Sequence, residues 1–226
     1  MEFTTILQAA ETEFEEKKSR FIGRAYPVES EDEARARIEE AKRRYWDATH
    51  NVFAYRIGWR PEVQRFSDDG EPGGTAGMPV LEVLRGEKLN EVLVIVTRYF
   101  GGTLLGTGGL VRAYTRAAQE AVRAAGVIRK EVCRRCRLVI DYTQLGKLQY
   151  ALNKNHYWIE NTEYADRVGL SVIVPESQQG AFKALLTDLG EGQLAPVAEE
   201  RLWAARQGEA YVFFPESQLL LPDEPG

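Results

Sequence analysis

One stretch constrains this chain more than any other. Val92-Leu-Val-Ile-Val96 leads through Thr97, Arg98, Tyr99 and Phe100 into Gly101-Gly-Thr-Leu-Leu-Gly-Thr-Gly-Gly109, and a helical pattern starts at Leu110. A short β-branched run bounded by turn residues reads as a buried strand. Five of the nine positions from Gly101 to Gly109 are glycine, so the chain reads strand, glycine-rich turn, helix. In such a turn backbone amides can converge on one point, and the helix dipole favours an anion there. The glycine spacing matches neither the Walker loop nor the dinucleotide fingerprint. Neither ATP nor NAD is indicated, and no cofactor is assigned.

With 226 residues, 44% hydrophobic and 28% charged, the chain has room for one large domain or two small ones. No 18-residue apolar run is present, and Met1-Glu-Phe-Thr-Thr-Ile6 has neither a basic nor an apolar leader region. No membrane association is expected, and the cytoplasm is the expected compartment. The net charge is −5, split between +2 for residues 1–137 and −7 for residues 138–226. Any contact with nucleic acid therefore needs a local basic patch. Cys133 and Cys136 form a lone C-x-x-C. His50 and His156 are remote from it, so no zinc set is formed. In a strand the two thiols point to opposite faces, which also disfavours a bridge.

Along the chain, Phe14 to Val28 reads as extended. Ser30 and Glu33 fit a capping box opening a helix to about Trp46. Asn51–Gly58 reads as a strand, Phe66–Gly77 as a polar loop, and Pro79 to about Arg85 as a short helix. A strand at Glu91–Arg98 precedes a helix to about Ala125, whose alanine-rich face suits close packing on a sheet. After Gly126 the order is strand (134–141), helix (144–153), strand (157–164), strand (167–174), helix (176–189), strand (193–204). That is the βαββαβ order of a ferredoxin-like unit. Tyr211–Phe214 is expected as an added edge strand and Leu221–Gly226 as a frayed tail. The boundary is placed so that residues 1–130 form one domain and 131–226 a second, in an α+β protein.

The run from Leu89 to Gly106 resembles the signature of the YigZ/IMPACT family. Lys17-Lys-Ser-Arg-Phe-Ile22, His50-Asn-Val-Phe-Ala-Tyr55 and Ser67-Asp-Asp-Gly-Glu-Pro-Gly-Gly-Thr-Ala-Gly77 agree with it. The resemblance implies a first domain like domain 2 of ribosomal protein S5. The second would be like the C-terminal domains of elongation factor G. It also implies a link to translation, because eukaryotic members regulate translation through partner proteins. Those members use an additional N-terminal domain for which this chain has no room, so their particular mechanism does not transfer. Fold kinship is not function, which has to come from a site.

The candidate pocket draws on three loops that can meet at one edge of the first sheet, those holding His50, Ser67–Gly77 and Gly101–Gly109. Its residues are Lys18, His50, Ser67, Asp68, Asp69, Glu71, Arg98, Gly101, Gly102, Gly106, Gly108, Gly109 and Arg112. Arg98, Arg112 or Lys18 can pair with a phosphate, and an arginine can do so with two bonds. The competing reading has the glycines serving turns and Arg98 in a surface ion pair. The Asp68–Glu71 acids could hold Mg²⁺, and Ser67 with His50 and an Asp could imitate a nucleophilic set. Asp-Asp-Gly is also ordinary turn chemistry, and no metal is assigned. Arg129, Lys130, Arg134, Arg135 and Arg137 form a candidate strip for RNA phosphates, with Tyr142, Tyr150, Tyr157 and Trp158 available for stacking. A regulatory protein binding RNA, the ribosome or a translation factor is the favoured expectation, ahead of an enzyme or sensor for a small phosphorylated ligand. Nothing in the residues sets an oligomeric state.

Overall fold

The computed structural model describes residues 2–58, 62–208 and 210–214. They divide into two compact units, Phe3–Arg129 and the chain from Lys130 onward together with Glu2. The architecture is α+β in both. The expected frayed tail, Leu221–Gly226, lies outside the described residues.

The first unit holds strands β1 (Glu2–Ile6), β2 (Ala10–Glu16), β3 (Ser19–Pro27), β4 (His50–Ile57), β5 (Val63–Ser67) and β6 (Val92–Tyr99). Its helices are α1 (Glu31–Arg44), α2 (Gly77–Gly86) and α3 (Thr107–Ala125). Five strands make an antiparallel sheet in the order β2-β3-β6-β4-β5. β6 is central and covered on both faces. Val92, Val94 and Val96 face α2 and α3, while Leu93 and Ile95 face α1. A strand buried on both sides has no polar alternation, which explains its uninterrupted apolar run. α3 lies so close to β3 that a Cβ on Gly23 would sit 2.5 Å from the Ala117 carbonyl oxygen. The alanine face of α3 is what allows this approach.

Three expectations change here. The extended segment from Phe14 is a hairpin, turning at Lys17 and Lys18, both with left-handed φ (47° and 66°). Two positive-φ residues are the signature of a tight type I′ turn, which the Lys-Lys sequence conceals. β1 and β5 are strands that local pattern did not announce. In the capping box, the Ser30 hydroxyl accepts from the Glu33 amide at 3.2 Å, but the Glu33 carboxylate accepts from Glu29 rather than from Ser30.

The second unit carries β7 (Val127–Ile140, on which the division falls), α4 (Tyr142–Lys154), β8 (Trp158–Tyr164), β9 (Val168–Pro175), α5 (Gln179–Leu189), β10 (Ala198–Gln207) and β11 (Ala210–Phe214). The antiparallel order β10-β7-β9-β8 with two helices on one face is the ferredoxin-like arrangement, and β11 extends its edge. Cys136 points into the core beneath α4 and α5, and Cys133 to the opposite face. Both thiols are free, and burial pushes that of Cys133 up to about 12.

Candidate functional site

The site is built on one row of the first sheet. Register aligns Phe21 of β3, Arg98 of β6 and His50 of β4 side by side. All three therefore point to the face covered by α2 and α3. Asp69 and Gly70 take left-handed φ (44° and 86°), and the Glu71 amide donates to the Asp68 carbonyl at 2.9 Å. This turn brings Glu71 over the row.

Glu71 Oε1 accepts from Arg98 at 2.6 Å and from the Tyr114 hydroxyl of α3 at 2.7 Å. Its Oε2 makes no hydrogen bond among the described residues. Arg98 also donates to the Ser19 hydroxyl at 3.3 Å, and that oxygen accepts from the Gly101 amide at 3.2 Å. The Arg98 guanidinium lies 5.5 Å from the ring centres of both Phe21 and Phe100. Arg98 is 4% and Glu71 7% exposed, so this is a buried ion pair rather than a surface one. Removing either partner would strand a charge. Burial and the Glu71 charge hold the Tyr114 phenol far above its ordinary range.

His50 completes the cluster. Its Nδ1 lies 2.7 Å from the Asp69 carbonyl oxygen, and its Nε2 lies 3.7 Å from Glu71 Oε1. Around it opens a cavity of about 460 Å³ lined by Thr49, His50, Glu71, Arg98, Phe100, Leu104, Gly106 and Thr107, among others. α3 begins at its edge. The cap residue Gly106 has φ 72° and ψ 164°, no side chain caps the helix, and its first turn holds no acidic residue. The amides of Thr107, Gly108 and Gly109 belong to the orphan donors of a helix start.

The cavity therefore gathers His50, Glu71, Arg98 and Gly106 from the expected set. The others lie outside its lining. Asp68 accepts from the amides of Gly74, Ala76 and Gly77, fastening the start of α2. Asp69 accepts from the Asn51 amide at 2.6 Å, and Ser67 from the Asp69 amide. Those acids are occupied by backbone donors, and Ser67 makes no bond to His50. Among the described residues no three His, Cys, Asp or Glu side chains could hold one metal ion. Gly101 is required by close approach, since a Cβ there would fall 2.0 Å from the Lys18 carbonyl. Gly102, with φ 81°, is a turn residue. Gly108 and Gly109 form the first turn of α3. Arg112 lines a separate cleft of about 230 Å³ with Phe14, Lys17 and Gly109.

Two participants were missed from sequence. Tyr114 sits on the buried face of α3 among alanines, where a hydroxyl needs a partner. That is a usable signal. Ser19 offered none, because its role depends on the hairpin turn before it.

The basic strip is charge-matched. Arg134 meets Glu199 at 3.1 Å, Arg135 meets Glu160 at 2.7 Å and Glu200 at 2.5 Å, and Arg137 meets Glu163 at 2.7 Å. Lys130 is buried with its ammonium over the Trp203 and Phe214 rings, and Arg129 is an exposed residue at the end of the first unit. Of the aromatics, Tyr157 is core, Tyr142 and Tyr150 are exposed on α4, and Trp158 packs with Tyr211 and Phe213 on the face away from the helices.

The fold and this cluster define a two-unit α+β protein with a charged cavity in its first unit. The model of the Impact N-terminal domain matches residues 17–122, and that of a domain of unknown function, DUF1949, matches 138–193. The chain is 39% identical to "IMPACT family member YvyE" of Bacillus subtilis, over 84% of this chain and 88% of that one. It is 38% identical to "IMPACT family member YigZ" of Escherichia coli, over 88% of this chain and all of that one. A crystal structure titled as that of a hypothetical protein superposes with a TM-score of 0.56 at 35% identity, covering 87% of this chain and 97% of its own. This chain belongs to the IMPACT family.

Proposed function

We propose that the first unit is a receptor for a small phosphate-bearing ligand, held at the start of α3, in a cytoplasmic protein that acts as a regulatory binder rather than as a catalyst. One observation carries this reading. An uncapped, acid-free helix start opens into a cavity whose lining includes His50 and the buried Arg98–Glu71 pair. Helix starts of this kind suit oxyanions. The exposed apolar lip of Phe100 and Leu104 suits the organic part of a phosphate ester.

Thermal melts against a panel of nucleotides and sugar phosphates test it. A ligand that binds only the native state raises its stability by mass action. The informative variant is Gly108→Asp, which sets a carboxylate on the first turn of α3 in an exposed position. It should keep the fold and lose the ligand response. No response in the wild-type chain to any member of the panel would remove the reading.

A second reading, contact with RNA, the ribosome or a translation factor, is favoured by a different feature. Among the described residues of the second unit, no helix joins Cys133, Ile173, Leu202 and Ala204 with Trp158, Tyr211 and Phe213 on the outer sheet face. Arg135 lies 5.0 Å over the Phe213 ring there. An aromatic and arginine surface on a sheet suits stacking by unpaired bases. Sedimentation with ribosomes and total RNA at low and high salt tests it. Loss at high salt is expected, and absence of binding at both salts would discard it.

A further inference from the structure

The cavity holds a histidine whose proton can be placed. The Asp69 carbonyl only accepts, so His50 Nδ1, 2.7 Å from it, carries the hydrogen. In the neutral ring Nε2 is then a bare lone pair, and it faces Glu71 Oε1 at 3.7 Å. Two acceptors confront each other across that gap until a proton is placed on Nε2. The charged and titratable groups around His50 are Glu71 and Asp69 from the loop, Arg98 beside it on β6, and Tyr114 from α3. Arg98 and Glu71 cancel, Tyr114 is neutral, and the Asp69 carboxylate is held by the Asn51 amide.

We propose that the ligand is a terminal oxyanion carrying two negative charges, a phosphomonoester, and that His50 is the residue that distinguishes it from a phosphodiester. This rests on the anion-receptor reading above. The helix start supplies about half a positive charge, and protonated His50 supplies a full one. A dianion needs both. A diester, with a single charge, is nearly matched by the helix start and draws little from His50. Arg98 lines the same cavity, and its Nε is buried without a hydrogen-bond partner.

The probes are inorganic phosphate, methyl phosphate and dimethyl phosphate at pH 7 and pH 8. His50 and His156 are the only histidines, so their ring protons can be followed by NMR in the unmodified chain. Methyl phosphate should raise the His50 titration midpoint by about one pH unit, the equivalent of binding the protonated ring about tenfold more tightly than the neutral one, so its preference over dimethyl phosphate should widen as the pH falls from 8 to 7. His156 should not move. Inorganic phosphate binding more tightly than methyl phosphate would assign the free ion and overturn the ester, and the reverse would support the ester. In His50→Gln, shown to be folded by its melt, the preference for the monoester should vanish. Equal affinity for monoester and diester, an unmoved His50, or a preference that survives in His50→Gln would overturn the assignment and leave the anion receptor standing. Failure of all three probes to bind would overturn both.

Discussion

Glu71 is the residue on which the cavity depends, because Arg98, Tyr114 and His50 all face one of its oxygens. Arg98→Ala or Glu71→Ala should each cost about 3–5 kcal/mol in chemical unfolding, since each leaves a buried charge uncompensated. Arg98→Met with Glu71→Leu should cost well under the sum of the two single losses. Strict additivity would mean that the pair is not coupled. Glycine supplies a sharper contrast. Gly101→Ala puts a methyl on the Lys18 carbonyl and should destabilise by at least about 2 kcal/mol. Gly73→Ala meets open space and should stay within about 0.5 kcal/mol. At this scale the sequence displayed the right residues without their partners. Arg98 looked like a ligand or a surface ion, because nothing local places Glu71, 27 positions earlier, against it.

The elements carry the next set of consequences. α3 starts at a glycine with no side-chain cap, so Gly108→Asp should stabilise the protein by about 0.3–1 kcal/mol through the helix dipole. A melting temperature that falls would show the first turn to be constrained in some other way. β6 and α3 were legible because their patterns are strong. One is buried on two faces and the other presents a continuous small-residue stripe. β5 was not, since Val63-Gln-Arg-Phe-Ser67 is short, polar and at the edge of the sheet. Hairpin β2–β3 was hidden by a turn of two lysines in place of the glycine or asparagine that usually marks one. The junction arginines were visible, but their neutralisation by glutamates on β8 and β10 comes from strand register, which no local pattern reveals.

For the molecule as a whole, several groups keep their protons longer when folded. Burial and the Glu31 carboxylate push the Tyr55 phenol up to about 12, burial does the same for the Cys133 thiol, and Tyr114 is raised as well. The unfolded chain ionises these groups first, so it binds fewer protons and stability falls as pH rises. That contribution is complete below about pH 8.5, where unfolded thiols begin to ionise, and is lost as the pH climbs toward 12. Urea midpoints should drop between pH 8 and pH 11, and a constant midpoint would contradict these shifts. The two-unit α+β plan followed from element order, because alternation and turn chemistry are local. Convergence of three distant loops on one cavity was only an expectation, since it depends on how β4 and β6 align. The most direct measurement is an amide NMR titration of the wild-type chain with inorganic phosphate. Saturable shifts concentrated at Thr107, Gly108, Gly109 and His50 are expected. Shifts scattered over surface lysines and arginines, with the start of α3 unmoved, would contradict an anion site there.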